Sequence, residues 1–366
     1  MINLTIGDFT QKEILGHLLV TERLLEKVAS KLSGSEQSAN IIAMPDLGFP
    51  RNVKRIRGGF FTGALYTWKS NVPFIPVDAT INSCGVSVFK LKRSIDTKDE
   101  FLDLIKQALI KNRTSSYDWN YNEGNHFINY GIVKDSSILS NGSYIVMHSS
   151  ASEFKSHHNG LYPIKGNWYY DKIQIYRDGN RYLRYVYGDC AEKFFNVTKI
   201  LGDYNKIRQR YFAGSIFGED QIDSELLYIS HYGMPDINSV AIGCNYIDND
   251  DIYLLLTSTN HSSYFIKPLP NTESHIILNK QYALSPHGLG MQMINDYNFK
   301  YSDDSIIFNN KKYFDHDKLS FGSDLKIRDC IFRNSIPKDV IAKFLIKCPG
   351  EICGEFQTKY SYNSNF

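Results

Sequence analysis

Five short segments of the sequence place a metal-ligating side chain beside a glycine or at the expected end of a strand. Cysteine thiolate and histidine imidazole together bind Mn, Zn, Fe or Co, and an added carboxylate favours harder ions such as Mn²⁺. Glycine beside a ligand lets the backbone approach a metal ion or a phosphate closely. Taken singly, a strand-end histidine or an isolated cysteine is more often structural than a ligand, so both interpretations stay open. The segments are Asp78…Cys84-Gly85, Gly124-Asn125-His126-Phe127, Met147-His148-Ser149-Ser150, Gly243-Cys244-Asn245-Tyr246 and Pro286-His287-Gly288.

The elements that would position these side chains alternate between helices and short β-rich runs. Thr10–Glu13 and Thr97–Glu100 are capping boxes that predict two helices, the first ending near Gly34. Apolar periodicity predicts a long helix over 188–211 and another over 337–347. The pattern favours one α+β domain over residues 1–366, with a mixed or antiparallel β-sheet core flanked by helices. Strand-like runs are predicted at 74–92 with a turn at Cys84-Gly85, and at 126–133, 144–148, 168–176, 239–247, 252–257, 264–267 and 275–278.

Composition leaves the class of partner open. The 366 residues are 22% charged and 42% hydrophobic, with a formal net charge of +2, so a polyanion would have to be bound by a local patch. The N-terminal residues lack the features of a signal peptide, and no apolar run is long enough to span a bilayer. We therefore expect a cytoplasmic protein without membrane contact, whose six cysteines stay reduced.

Several motifs occur in the order found in one enzyme family. The sequence resembles the RtcB-type tRNA-splicing RNA ligases, whose counterparts are MPDVH, D-x-x-CGV, GNHF-[IL]-E, HSGSRG and SHGAGR. Two matches, GNHF and PHGxG, are specific, and the others are loose. The resemblance covers about residues 10–350 and implies an RtcB-like fold. The matching segments here are Met44-Pro45-Asp46, residues 81–86, residues 124–128, residues 146–149 and residues 285–290.

The resemblance also implies a metal centre. In that family two Mn²⁺ ions share a cysteine and are held by an aspartate and three histidines. Cys84 matches the shared cysteine, and His126 and His148 match two of the histidines. Cys244 stands at the third histidine, where a thiolate would favour Zn²⁺ or Fe; a core cysteine is the equal alternative. Asp78 would serve as the aspartate only with a three-residue insertion, because Ile81 occupies the family position.

A nucleotide site follows from the same resemblance. His287 matches the histidine that is covalently guanylylated by GTP, and Asn125 matches a residue that touches the GMP phosphate. Asn129 replaces the glutamate that reads guanine, and Lys359 is a candidate for the terminal lysine. However, arginines that the family has in these motifs are missing here, and Met291 stands after the PHGxG segment. The family's glycine-rich nucleotide loop is replaced by Thr-Ser-Thr-Asn-His at residues 257–261.

Two basic or histidine-rich stretches lie outside these motifs. The basic stretch would contact an RNA backbone or form a solvated loop. It contains Arg51, Lys54, Arg55 and Arg57 and precedes Phe60-Phe61. His157-His158 would be an additional ligand pair, but adjacent side chains on one strand point in opposite directions.

The sequence thus leads to a hypothesis with two rivals. The leading one is a GTP- and Mn²⁺-dependent ligase joining RNA 2′,3′-cyclic phosphate or 3′-phosphate ends to 5′-hydroxyl ends, with His287 as nucleophile. One alternative is a catalytically degenerate homologue that binds RNA or nucleotide. The other is a metal-dependent phosphoesterase.

Overall fold

The structure is a computed structural model whose secondary structure mixes helices with extensive antiparallel sheets, as the α+β prediction required. The helices are α1 (Phe9–Ser33), α2 (Val53–Gly58), α3 (Lys98–Lys111), α4 (Asp189–Phe217) and α5 (Pro337–Lys347). The described residues are 1–50, 53–113, 115–122, 124–134, 136–151, 160–248, 250–270, 274–277, 280–293, 299–302, 305–308, 310–314, 330–332 and 337–363.

The largest sheet has seven strands and is covered on both faces. Phe89 and Met147 pack with α3 and α4 on one face, while Val88 and Val146 belong to a second apolar cluster on the other. This division follows from the alternation of side chains along a strand. The strands are β5 (Gly85–Leu91), β6 (Phe127–Lys134), β7 (Gly142–Ser149), β10 (Ile222–Ser230), β14 (Tyr253–Leu255), β15 (Ser263–Pro268) and β23 (Gly350–Tyr362). They lie in the order β10-β5-β7-β6-β23-β15-β14, with antiparallel pairing throughout.

A five-stranded sheet packs against α1. The helix buries Ile14, Leu18 and Val28 completely, and these side chains join the apolar cluster that includes Ile41 and Tyr66 of the sheet. The strands are β1 (Ile2–Asn3), β2 (Ala39–Gly48), β3 (Thr62–Trp68), β11 (Tyr232–Gly233) and β12 (Ser239–Ile242). Their order is β1-β2-β3-β12-β11.

Smaller sheets complete the described part of the chain. One contains β4 (Phe74–Pro76), β9 (Arg181–Tyr187) and β8 (Gln174–Asp178), and another contains β13 (Cys244–Asp248), β17 (Lys280–Pro286) and β16 (Ser274–Ile277). The remaining strands are β18 (Met291–Met293), β19 (Phe299–Ser302), β20 (Ser305–Phe308), β21 (Lys311–Phe314) and β22 (Cys330–Phe332).

The beginning of α1 differs from the prediction. Asp8, rather than Thr10, is the N-cap: its carboxylate accepts from the backbone N–H of Gln11, whose side chain caps the Asp8 backbone in return. The C-terminal end is as predicted, at Gly34 with φ +69°. Thr97 caps α3 as expected, through its hydroxyl and the Glu100 N–H. The capping pattern at Thr10 located the helix to within two residues, but the acceptor two positions earlier, Asp8, occupies the N-cap.

The basic stretch is not a solvated loop. Lys54, Arg55 and Arg57 belong to α2 and are 1%, 6% and 1% exposed, while Arg51 and His157-His158 lie outside the described residues. Arg55 donates to Ala79 O and to both oxygens of Thr80. Both interpretations of this stretch, as an RNA-contacting surface and as a solvated loop, are therefore wrong for the three described cations.

None of the described helices combines the length and the apolar character needed to cross a membrane.

Candidate metal centre and histidine pair

Four neighbouring strands bring cysteine and histidine side chains to one end of the largest sheet. Cys84 immediately precedes β5, His126 immediately precedes β6, His148 lies near the end of β7, and His231 follows β10. Because β10, β5, β7 and β6 are adjacent and antiparallel, the ends of β10 and β7 meet the beginnings of β5 and β6. The register fixes this convergence, since Ser230 pairs with Gly85, Gly85 with Ser149, and Phe127 with His148.

Cys84, His148 and His231 form the tightest group. One ligand atom from each lies within 4.8 Å of the other two, and all three residues are buried. The Nε2 atoms of His148 and His231 are 3.2 Å apart. His126 lies beside this group, with its ring centroid 5.4 Å from that of His148.

Hydrogen bonds to carbonyl oxygens set the tautomers of His148 and His126. Nδ1 of His148 contacts Asn125 O at 3.0 Å, and Nδ1 of His126 contacts Asn120 O at 2.8 Å. A carbonyl oxygen only accepts, so Nδ1 of His148 and of His126 carries a proton. In the neutral rings the lone pair is therefore on Nε2.

The roles of the two Nε2 atoms in the His148–His231 contact depend on the tautomer of His231. If His231 is protonated on Nε2, that N–H donates to the lone pair of His148 Nε2. If each ring is protonated on Nδ1 alone, two Nε2 lone pairs face each other at 3.2 Å. A metal cation or an additional proton would relieve this repulsion. Burial, reinforced by the neighbouring His148 and His287, lowers the pKa of His231 well below its usual value, which disfavours the proton on that ring.

A second pair of groups adjoins the cluster. Nδ1 of His287 lies 2.5 Å from Oδ2 of Asp46, which also accepts from the His287 backbone N–H at 3.2 Å. The Asp46 side chain is 0% exposed and that of His287 is 19% exposed. The His287 ring stacks on His231 with a centroid distance of 5.2 Å. The carboxylate thus orients the imidazole, and Nε2 of His287 remains the atom able to react.

The turn that carries His287 is held by buried contacts. Nδ2 of Asn245 donates to Ser285 Oγ at 3.2 Å and to Pro286 O at 2.9 Å. Gly243 separates β12 from β13, with φ +63°, and donates its N–H to His231 O at 2.7 Å. A Cβ on Gly243 would lie only 2.8 Å from Cε1 of His287. The run predicted as one strand over 239–247 is therefore broken at Gly243, where the backbone passes beside the histidines.

Two of the expected metal ligands lie elsewhere. Both carboxylate oxygens of Asp78 accept from Arg184 in a buried ion pair. Cys244 is 0% exposed and packs in an apolar cluster with Met44 and Leu284, and its Sγ is 3.5 Å from Asn245 O. Burial, with Asp46 and Cys348 nearby, raises the pKa of the Cys244 thiol well above its usual value. The structure thus brings together Cys84 and His148, with His126 adjacent, but not Asp78 or Cys244.

The expected nucleotide-contacting residues are more dispersed. Asn125 is exposed and contributes its backbone oxygen to His148. Asn129 lies opposite Val146, on the same sheet face as His148, and accepts from Ser361 Oγ at 2.6 Å. Lys359 is exposed on β23, at a register shift between Thr358 and Tyr360.

His231 and Asp46 are the functional candidates that sequence reasoning missed. His231 stands in Ser-His-Tyr-Gly, without a glycine at its side, between β10, whose pairing is interrupted by two register shifts, and the two-residue β11. Its one available signal was a histidine between two β-rich runs. Asp46 was visible in the Met44-Pro45-Asp46 motif, but its partner His287 is 241 residues away.

The sequence matches no protein-family model and no curated protein.

Proposed function

We propose that Cys84, His148 and His231 hold a transition-metal ion. The observation that carries this proposal is the 3.2 Å separation between two buried Nε2 atoms, at least one of which is acceptor-only in its neutral ring. A tetrahedral ion with metal–nitrogen bonds of about 2.05 Å separates its nitrogen ligands by about 3.3 Å. The donor set fits, because one thiolate and two imidazoles favour Zn²⁺, Co²⁺ or Fe²⁺ and also accept Mn²⁺.

Three protein ligands leave a further coordination position, as in catalytic rather than structural metal sites. A bound ion would neutralise phosphate charge and polarise the phosphorus centre. The adjacent His287 supplies a nucleophile of suitable form, because the Asp46 carboxylate holds the proton on Nδ1 and leaves the Nε2 lone pair available. A metal ion beside an oriented histidine would serve phosphoryl or nucleotidyl transfer.

We further propose that the reaction is RNA end joining through a histidine–nucleotide intermediate. Nε2 of His287 attacks the α-phosphorus of GTP, pyrophosphate leaves, and the nucleotide is then passed to an RNA 3′-phosphate end. In the final step, the 5′-hydroxyl of the second RNA end attacks the activated 3′-phosphate, and the nucleoside monophosphate leaves. The motif order supports this assignment, together with the position of His287 next to the cluster.

A metal-dependent phosphoesterase is the second candidate. Its supporting observation is that the Asp46–His287 pair has the form of a general base beside the candidate ion, and would act on water as well as on a nucleotide. This alternative needs neither the missing arginines nor a glycine-rich loop.

A nucleotide-adduct experiment distinguishes the two candidates. Metal-loaded protein is incubated with each of the four nucleoside triphosphates, and its intact mass is measured. The ligase proposal expects an acid-labile nucleoside-monophosphate adduct that disappears in His287→Ala. Asp46→Asn should slow its formation roughly 10²–10⁴-fold, because an amide N–H at that place would force the imidazole proton onto Nε2.

His17→Gln, at a partly buried histidine of α1 outside the candidate site, is the matched control and should form the adduct as the wild type does. Absence of an adduct with all four triphosphates in metal-loaded protein would overturn the ligase proposal. Hydrolysis of a model phosphodiester that His287→Ala loses would then favour the phosphoesterase.

A further inference from the structure

One face of α4 carries three fully buried polar side chains. Asn205, Arg208 and Gln209 are each 0% exposed, and their spacing of three and four residues places them on the same side of the helix. Buried amide and guanidinium groups are costly unless hydrogen-bonded. Several of their hydrogen bonds reach the segments that carry Cys84, His148 and His126.

The two amides hold the backbone on both sides of Cys84. Nδ2 of Asn205 donates to Ser83 O at 3.1 Å, and Nε2 of Gln209 donates to Gly85 O at 2.9 Å. Ser83 has φ +52°, a left-handed conformation that a serine adopts only when its surroundings impose it. The Asn205 contact stabilises this conformation, which sets the direction of the next side chain, Cys84.

The same two amides hold the residue after His148. Ser149 Oγ donates to Asn205 Oδ1 at 2.8 Å, Ser149 O accepts from Asn205 Nδ2 at 2.9 Å, and Ser149 Oγ accepts from Gln209 Nε2 at 2.9 Å. Alternation along β7 directs Ser149 toward α4 and His148 to the opposite face. Helix α4 therefore holds the strands that carry the candidate ligands from the sheet face opposite to the His148 ring.

Arg208 extends the network toward His126. It donates to Ser150 O and, at 3.3 Å, to Asn120 Oδ1. Asn120 in turn receives the Ser150 N–H on Oδ1 at 3.0 Å and the His126 Nδ1–H on its backbone oxygen at 2.8 Å.

We infer that Asn205 and Gln209 are positioning residues of the proposed metal site, which set the separation between the Cys84 thiolate and the His148 imidazole. This inference rests on the proposed function. Neither side chain contacts the metal-ligating atoms; each acts through the peptide groups beside them. Removing the amide donors should loosen the ligand geometry while the sheet remains formed.

Cobalt titration tests the inference, because Co²⁺ absorption reports both thiolate ligation and tetrahedral geometry. Gln209→Met keeps the side-chain length and removes the donor to Gly85 O. Its Co²⁺ affinity should fall roughly 10–100-fold, as for other residues that orient metal ligands, with a weaker thiolate-to-cobalt band. The metal-free unfolding free energy is measured in parallel.

Thr198→Val is the matched control, because Thr198 is a buried polar residue of the same helix whose hydroxyl contacts, within the described part of the chain, Phe194 O and Met234 Sδ rather than the segments of the candidate site. It should leave Co²⁺ affinity and spectrum unchanged. Should Gln209→Met fail to fold, Ser149→Ala removes the hydroxyl shared by both amides and should still weaken Co²⁺ binding by about threefold or more.

The outcomes separate the two proposals. Unchanged affinity and spectrum in the folded Gln209→Met or Ser149→Ala protein, with Co²⁺ bound by the wild type, would overturn the positioning role alone. A wild-type protein that binds no Co²⁺ would overturn the metal site itself, and the positioning role with it. Equal loss in Thr198→Val would show a general effect of helix stability and also overturn the inference.

Discussion

His231 is the side chain on which the candidate metal site most depends. It supplies the Nε2 atom facing His148, and its ring also stacks on His287. His231→Ala should lower Zn²⁺ or Co²⁺ affinity by about 100-fold or more, since a lost ligand costs at least as much as a lost orienting residue. Competition with a chelating dye measures this, with His261→Ala as the exposed control. Equal affinities in the two variants would remove His231 from the ligand set.

At the residue scale, the sequence led to Cys84, His126, His148 and His287 as candidates, because each combines a ligand-type side chain with a recognisable neighbour and matches a motif of the resembled family. The structure places Cys84 and His148 together, with His126 beside them. Cys244 shows why this signal was insufficient. Adjacent residues of a strand face opposite ways, so a glycine beside a cysteine does not tell whether the thiol points to the site or to the core. Cys244 points into the core, whereas its neighbour Asn245 holds the His287 turn.

At the scale of elements, Gly243 links the two parts of the site by joining β12 to β13. Gly243→Ala should destabilise the protein more than Gly179→Ala does. Both positions have positive φ, +63° and +58°, so both variants carry a strain of about 1–2 kcal/mol. Only the Gly243 methyl group also meets neighbours, at 2.6 Å from Thr62 Cγ2 and 2.8 Å from His287 Cε1, whereas Gly179 has open space.

The expected excess for Gly243→Ala is about 1–3 kcal/mol, the usual cost of overpacking. Urea unfolding of the metal-free variants measures it. Equal destabilisation would mean that the chain relaxes around Gly243 without moving the histidine.

Helices were easier to predict than strand pairing. The amphipathic pattern and the terminal signals located α1, α3, α4 and α5 from local sequence alone. The convergence of the ligands depends on the strand order β10-β5-β7-β6, in which β10 joins an edge formed much earlier in the chain. No local pattern encodes that order, so His231 could not be assigned to the site.

At the scale of the whole molecule, we expect the free energy of unfolding to decrease as the pH falls, because a partly buried histidine must be protonated. Burial, with a contribution from Arg181, lowers the pKa of His17 from 6.5 to about 4. The unfolded chain binds a proton at His17 more readily than the folded one, so this stability is complete above pH 6.5 and is lost as the pH falls toward 4. The loss should be on the order of 2 kcal/mol.

His17→Gln removes this titration. Denaturant unfolding at pH 7.5 and pH 4.5 should show a smaller pH-dependent loss in the variant than in the wild type. An identical loss in both proteins would assign the acid sensitivity to other groups.

The Asp46–His287 contact joins residues 241 positions apart in the chain. Asp46 lies in β2 and His287 lies in the turn after β17. The strands that carry the candidate metal ligands lie between these two residues in the sequence. The histidine therefore acquires its oriented form only when the chain has been synthesised through His287 and both segments have folded together. No fragment ending before His287 can form this contact, so a truncated or partly made chain lacks the oriented histidine even where the candidate metal ligands are already in place.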